Sequence, residues 1–413
     1  MSEASTTYNI VSKEVIDRLF SILEQVDRSE RDEIIKDWIV RYGSNNPIFY
    51  HTDEDEVTTF LLVENDTTEH WKKLYLVGDS FGWDTPRVEF KSIKDTRWWY
   101  VTFKRPRGAR IHYKLSPNDL GTRITDETRA DRYQNFILDS RNPETANEGM
   151  QTHSVIEYPD FKQTIELGSK NHEFTNIYMR KKLDGNRTAR FCVIGNAPRK
   201  LLVVHDGSAF SKVMQGHQII AKGVKEGRWP SMAILSLNSP YGERTREYGG
   251  RYGYPKYFRD VIIPTIEHHI GKTFGPEDII LHGSSLGAWG LLDVVCQVDV
   301  ARNLILHSCP FWWPDDDHQK YIREIEENEI FNIDRLYFDV GVFETGREPM
   351  STYESNKRFA QALKESDQEF MAREFLMGHR YSAWAWAFPG ALDYIFNGVK
   401  KYGPLPGRKL DIE

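Results

Sequence analysis

The sequence predicts an α/β protein preceded by a small β-sandwich and a short helical segment. Three observations carry this expectation. From about residue 195, short and wholly apolar stretches (KLLVVHDG, MAILSLN, DIILHG, NLILHS, RLYFDVG) alternate with amphipathic ones such as YPKYFRDVIIPTIEHHIG. That is the pattern of a parallel sheet covered by helices on both faces. Between residues 56 and 115, four β-rich stretches (EVTTFLLVEN, WKKLYLVGD, RWWYVTFK, RGARIHYKLS) are separated by turn residues, as in a sandwich. Finally, Gly283-Ser284-Ser285-Leu286-Gly287 stands where the apolar strand IILHG gives way to the apolar helix AWGLLDVV.

Composition bounds the answer. The 413 residues suffice for two or three domains. Lysine and arginine number 54 against 61 acidic residues, a net charge of −7, which argues against a nucleic-acid protein with its basic stripe. With 39% hydrophobic and 28% charged residues, the chain can build a sizeable core and is not globally disordered. No apolar run approaches the length of a membrane-spanning helix, and MSEASTTYNIVSKEVIDRLF lacks the basic-then-apolar order of a signal peptide. Cys192, Cys296 and Cys309 are too few and scattered for a disulfide framework or zinc site. A reducing, cytoplasmic setting is the expectation, with no membrane or nucleic-acid partner.

In chain order, residues 12–42 read as two helices. Val15, Ile16, Leu19, Phe20, Ile22 and Leu23 recur at helical spacing behind Ser12 as a cap, and SERDEIIKDWIVRYG ends at Gly43. The strands of residues 56–115 follow. Within them LYLVGDSFGWD resembles immunoglobulin-like domains that precede glycan-active and esterase domains. Trp71, Trp83, Trp98 and Trp99 are expected in the sandwich core, with a sugar-binding platform as the alternative. Residues 116–165 are polar, and DSRNPETANEG reads as the heart of a linker. The strands QTIELG, TNIYMRKKL and RTARFCVIG then lead into the apolar strands of the α/β region.

The pentapeptide carries the chemistry. In G-x-S-x-G a serine on a sharp strand-to-helix turn projects its hydroxyl above the sheet edge, and flanking glycines spare the strained backbone a clash. Ser285 is the candidate nucleophile. It needs a base, which in this architecture follows an acid in the chain. Downstream stand only His307, His318 and His379. His307 ends a strand too early and His318 lies among aspartates, whereas His379 follows EFLMG where a loop after the last strand belongs. The acid should stand just past RLYFDVG, where Asp339, Glu344 and Glu348 qualify. Asp339 lies inside the strand; Glu344 is preferred, with Glu348 as its rival. An oxyanion hole needs two backbone N–H donors, one from Leu286 and one from the loop after KLLVVHDG, at Gly207 or Ser208.

Taken together, LLVVHDGSAF, Arg244-Thr245-Arg246-Glu247, FRDVIIPTIEHHIG, LHGSSLGAWG, HSCPFWWPDDD, GREPM and Gly378-His379 resemble the enterochelin (ferric enterobactin) esterases and the esterase-D-like branch of the α/β-hydrolases. The expected domains are residues 1–45 (helical segment), 46–150 (immunoglobulin-like β-sandwich and linker) and 151–413 (α/β-hydrolase catalytic domain), and the resemblance covers the last two. It implies Ser285 as nucleophile, His379 as base, a hole at Ser208 or Gly207 with Leu286, Arg244 as a substrate contact, and Trp312 or Trp313 as pocket walls. For the acid, GREPM points to Glu348 and the wider branch to Glu344. The chain departs from the family where Arg380 replaces an aspartate after the histidine. Asp315, Asp316 and Asp317 would repel an anionic substrate if they faced the pocket.

The expected function is a serine esterase, needing neither metal nor organic cofactor, that cleaves a siderophore-like or other macrocyclic multi-ester. The alternatives are a feruloyl or acetyl esterase of plant glycans and a binding protein on an inactive hydrolase fold.

Overall fold

The computed structural model describes residues 9–412 apart from 53–54, 84–87, 123–125, 150, 163–164, 171, 180–186, 239–241, 251–252, 314–321, 324–331, 347–349, 367 and 399–406. The chain forms two compact units, Met1–Lys162 and Gln163–Glu413. Among the described residues no helix is long and apolar enough to cross a membrane.

The first unit opens with helices α1 (Lys13–Gln25) and α2 (Arg31–Tyr42) and continues as β1 (Ile48–Thr52), β2 (Glu56–Glu64), β3 (Leu74–Gly78), β4 (Val88–Glu89), β5 (Lys91–Ser92), β6 (Trp98–Pro106), β7 (Arg110–Pro117), helix α3 (Asp126–Gln134), β8 (Thr145–Asn147) and β9 (Thr152–Glu157). The strands make two antiparallel sheets, ordered β1-β2-β6-β5 and β4-β3-β7-β9-β8. Trp71, Trp98 and Trp99 are buried, as core packing requires. The helices are no separate segment. Ile16, Leu19, Leu23, Ile35 and Trp38 form one apolar cluster with Ile48, Phe60, Leu62 and Trp98.

Two boundaries differ from the expectation. The units meet at 162/163 and not at 150/151, because β9 is hydrogen-bonded between β7 and β8. DSRNPETANEG is not a free linker either. Asp139 is buried, accepting hydrogen bonds from Asn46 Nδ2, Tyr113 Oη and the Arg141 amide. Thr145–Asn147 is β8 itself. Within the segment Asp139 and Asn142 are buried and hydrogen-bonded, which a hydropathy pattern cannot distinguish from solvent exposure.

The second unit runs β10 (Thr175–Met179), β11 (Arg187–Ile194), β12 (Lys200–Val204), α4 (Gly207–Lys212), α5 (Gly216–Lys225), β13 (Met232–Leu237), α6 (Arg244–Tyr248), α7 (Tyr254–Tyr257), α8 (Ile263–Ile270), β14 (Ile279–Ser284), α9 (Leu286–Gln297), β15 (Asn303–His307), β16 (Arg335–Gly341), α10 (Thr352–Glu365), β17 (Phe370–Phe375), α11 (Tyr381–Asn397) and β18 (Arg408–Lys409). One nine-stranded sheet results, ordered β10-β11-β13-β12-β14-β15-β16-β17-β18. From β13 to β17 it is parallel. This is the α/β-hydrolase order, in which the third and fourth strands exchange places, and every loop after a parallel strand emerges on the same edge. β12, β14 and β15 are apolar because both sheet faces are covered. Between α7 and α8, Phe258–Ile262 forms a π turn, next to Pro264, which has no N–H to give an ordinary helical bond. QTIELG forms no strand over its described residues 165–168; the Gly168 amide donates to Gln218 O of α5 instead.

Candidate active site

The turn after β14 has the geometry that the pentapeptide anticipates. Ser285 has φ 54° and ψ −137°, a conformation that costs a non-glycine residue of order 1–3 kcal/mol. Three bonds hold it there. Its N–H donates to His307 O at 2.8 Å, and its carbonyl accepts from the amides of Ala288 (2.9 Å) and Trp289 (3.3 Å). The flanking glycines have a steric reason. A Cβ on Gly283 would stand 2.6 Å from Gly287 O, and one on Gly287 would stand 3.0 Å from Asp206 Oδ2. Ser284 is buried and Ser285 half-buried, so only the second serine offers a hydroxyl to a ligand. Leu286 is the first residue of α9, and its amide has no acceptor among the described residues.

The loop after β12 packs against this turn. His205 Nδ1 lies 2.9 Å from Gly287 O; a carbonyl only accepts, so Nδ1 carries the proton and Nε2 accepts from Tyr254 Oη at 2.8 Å. The ring stacks on Tyr248 at 4.1 Å and 8°. Burial pushes its pKa down to about 3. A neutral imidazole thus ties the first turn of α9 to the β12 loop. Asp206, left-handed at φ 52°, accepts from Arg244 Nε (3.0 and 3.2 Å) and Nη2 (2.7 Å). The Ser208 amide is engaged by Asn238 Oδ1 at 2.8 Å, whereas the Gly207 amide has no acceptor among the described residues. Of the two expected loop donors, Gly207 is the one with an open N–H.

Glu344 and His379 meet directly. His379 Nδ1 lies 2.7 Å from Glu344 Oε2. Glu344 Oε1 accepts from Ser308 Oγ at 2.6 Å and the Gly341 amide at 2.9 Å. Three donors therefore surround one buried carboxylate. The His379 side chain is 42% exposed and packs edge-on against Trp384 at 4.9 Å. Ser285, Glu344 and His379 follow β14, β16 and β17 and so share one edge of the sheet. Among the described residues no hydrogen bond joins Ser285 Oγ to His379, a pair often loose until substrate binds. Asp339 instead pairs with buried His307 (2.7 Å) beneath the edge, which occupies both of those earlier candidates. Glu348, His318 and Asp315–Asp317 lie outside the described residues.

The expected substrate contacts are placed as follows. Arg244 has its Nε edge filled by Asp206, and Nη1 has no bond to a described residue; its side chain is 38% exposed. Burial opposes the charge of Arg244, and its hydrogen bonds and ion pair with Asp206 more than offset that. Arg246 pairs with Glu243 at 3.2 Å on the surface; Glu247 pairs with buried Arg187 while Arg244 pairs with Asp206, so the two ends of Arg-x-x-Glu belong to different ion pairs. Trp312 and Trp313 are half-buried and donate to Thr352 Oγ1 (3.3 Å) and Gly249 O (3.4 Å). Sequence reasoning overlooked His205 and Ser308. Both flank expected residues, but nothing in their spacing marks them.

The buried histidines make stability depend on pH. Burial pushes His205 and His217 down to about 3 and His282 well below its usual value. Unfolded histidines titrate near 6.5, so below that pH the unfolded chain binds protons that the native chain refuses. Stability is full above about pH 6.5 and falls as pH drops towards 3, by on the order of 1.4 kcal/mol per pH unit for each histidine fully engaged. Asp339, raised by burial, opposes this only near the carboxylate range. The urea midpoint should hardly change from pH 8 to 7 and fall clearly from pH 6.5 to 5. A midpoint constant down to pH 5 contradicts the neutral assignment.

No protein-family model matches the chain, and no curated protein matches it in sequence. Solved structures do match in fold. The enterobactin esterase from Shigella flexneri, solved in the presence of enterobactin, superposes with a TM-score of 0.70 at 15% identity, over 87% of this chain and 98% of that one. The ferric enterobactin esterase from Salmonella typhimurium gives 0.71 at 16% identity, over 87% and 98%. At these identities the likeness is one of fold, an α/β-hydrolase with an N-terminal β domain.

Proposed function

We propose that this chain is a serine carboxylic-ester hydrolase. The observation that carries the reading is the strained Ser285 turn on the sheet edge that also bears the bonded Glu344–His379 pair. Glu344 holds the Nδ1 proton of His379, which leaves Nε2 to take the proton of Ser285 as Oγ attacks an ester carbonyl. The amides of Leu286 and Gly207 stabilise the oxyanion. The protonated His379 returns its proton to the departing alkoxide. Water then repeats the sequence on the acyl-enzyme, releasing the acid and restoring Ser285. Each of these groups belongs to the chain itself.

For the substrate we favour a siderophore-like or other macrocyclic multi-ester. The motif resemblance and the shared two-part fold support it. One observation favours the alternative, a neutral feruloyl or acetyl ester: Asp206 compensates the charge of Arg244. Turnover of an enterobactin-type trilactone, a feruloyl ester and a short nitrophenyl ester by the purified protein separates the two readings. The trilactone should have the highest kcat/KM, and a preference for the feruloyl ester moves the enzyme to the glycan class. Arg244→Ala supplies a second arm. It should raise KM about tenfold for the anionic ferric complex of the trilactone, the worth of one charged hydrogen bond, and leave KM for the neutral nitrophenyl ester within about twofold. Equal changes on both esters would make Arg244 a scaffold residue.

A further inference from the structure

Ser308 has no part in the proposed chemistry, yet its placement is costly. It follows β15 with φ 46°, in the left-handed region where glycine is the ordinary choice, and is 1% exposed. Its amide donates to Asp339 O at 2.7 Å, which fixes the backbone. Its hydroxyl lies between two groups of opposite hydrogen-bonding character. Trp384 Nε1, 2.8 Å away, can only donate; Glu344 Oε1, 2.6 Å away, accepts as a carboxylate. The indole therefore donates to a lone pair of Ser308 Oγ, and the hydroxyl proton is left to the acid. Trp384 also lies edge-on to His379, so one side chain of α11 touches both the base and the residue that holds the acid.

We propose that Ser308 is a positioning residue for Glu344, with Trp384 setting the direction of its hydroxyl proton. The assignment rests on the Ser285–His379–Glu344 reading. Ser308 is buried and offers no surface to a substrate. With the Gly341 amide it holds Oε1, so that Oε2 is turned towards His379 Nδ1. Glycine would satisfy the backbone at φ 46°, yet serine stands there with both sides of its hydroxyl engaged, which points to the hydroxyl as the useful part.

Ser308→Ala and Ser308→Gly both remove the hydroxyl, and only glycine relieves the backbone. With nitrophenyl acetate as probe, both variants should lose about tenfold in kcat with KM within about twofold, while the glycine variant melts at the higher temperature. In a Glu344→Gln background, Ser308→Ala should cause no further loss, because the hydroxyl acts only through the acid. A glycine variant with wild-type kcat would reduce Ser308 to a backbone role and overturn the proposal. So would a full tenfold loss in the Glu344→Gln background. Failure of the underlying reading shows separately, as a Ser285→Ala variant that still turns over or a Glu344→Gln variant at wild-type rate.

Discussion

Ser285→Ala should lower kcat for ester hydrolysis by about 10⁶-fold, to the level that binding and the oxyanion hole alone sustain. The size of the effect follows from the role: without Oγ no acyl-enzyme forms, and His379 has no proton to accept. The fold should be untouched. The Ser285 hydroxyl has no hydrogen-bond partner among the described residues, and alanine meets the same backbone conformation as serine. Unchanged thermal unfolding together with lost turnover and lost labelling by a fluorophosphonate probe is the expected pair of results. An alanine variant that keeps wild-type turnover sinks the assignment. Ser284 is a poor fallback, since it is 3% exposed and ends the strand beneath the turn.

The parts of the site legible in the sequence were those whose chemistry has a local signature. The Ser285 turn needs its first glycine because Gly283 lies against the backbone of Gly287 and Ala288, a requirement written within six residues, whereas Gly287 is crowded by Asp206 and His205 of the β12 loop. His379 could be reached by chain order and by elimination. Glu344 and Glu348 could not be separated in the sequence, because two carboxylates four positions apart look alike there; the Glu344–His379 bond arises from a partner 35 residues away. Arg244 drew attention for its charge, but its partner Asp206 is 38 residues away and the pairing depends on the order of β12 and β13. The fold shows the same division. Runs such as KLLVV and IILHG announced buried parallel strands. FMAREF did not, since β17 carries buried Glu374, paired with Arg408 and with Tyr353 Oη. The Asp139 network was read as a linker for the same reason. Polar residues satisfied by distant partners resemble exposed ones in any local window.

Glu344→Gln should lower kcat by about 10⁴-fold, less than loss of the serine but far more than a simple weakening of one contact. The geometry specifies why. Ser308 Oγ–H and the Gly341 amide both donate to Oε1, so a glutamine must place its carbonyl oxygen there to satisfy them. Its amide nitrogen then faces His379 Nδ1, which must accept and not donate. The imidazole proton is driven to Nε2, the atom that has to receive the proton of Ser285. The variant keeps the shape of the acid and inverts the tautomer of the base. KM should change little, because Glu344 is buried and meets no substrate. Glu348→Gln, measured beside it, should stay within about threefold of wild type if Glu344 alone orients the base. If both substitutions have equal, small effects, His379 works as half of a dyad and neither glutamate orients it. If Glu348→Gln is the more damaging, the acid belongs to GREPM, and the 2.7 Å contact between Glu344 and His379 is structural. The tautomer argument makes one further demand. Glu344→Ala leaves the His379 proton free to return to Nδ1, so it should retain more activity than Glu344→Gln despite losing the whole side chain.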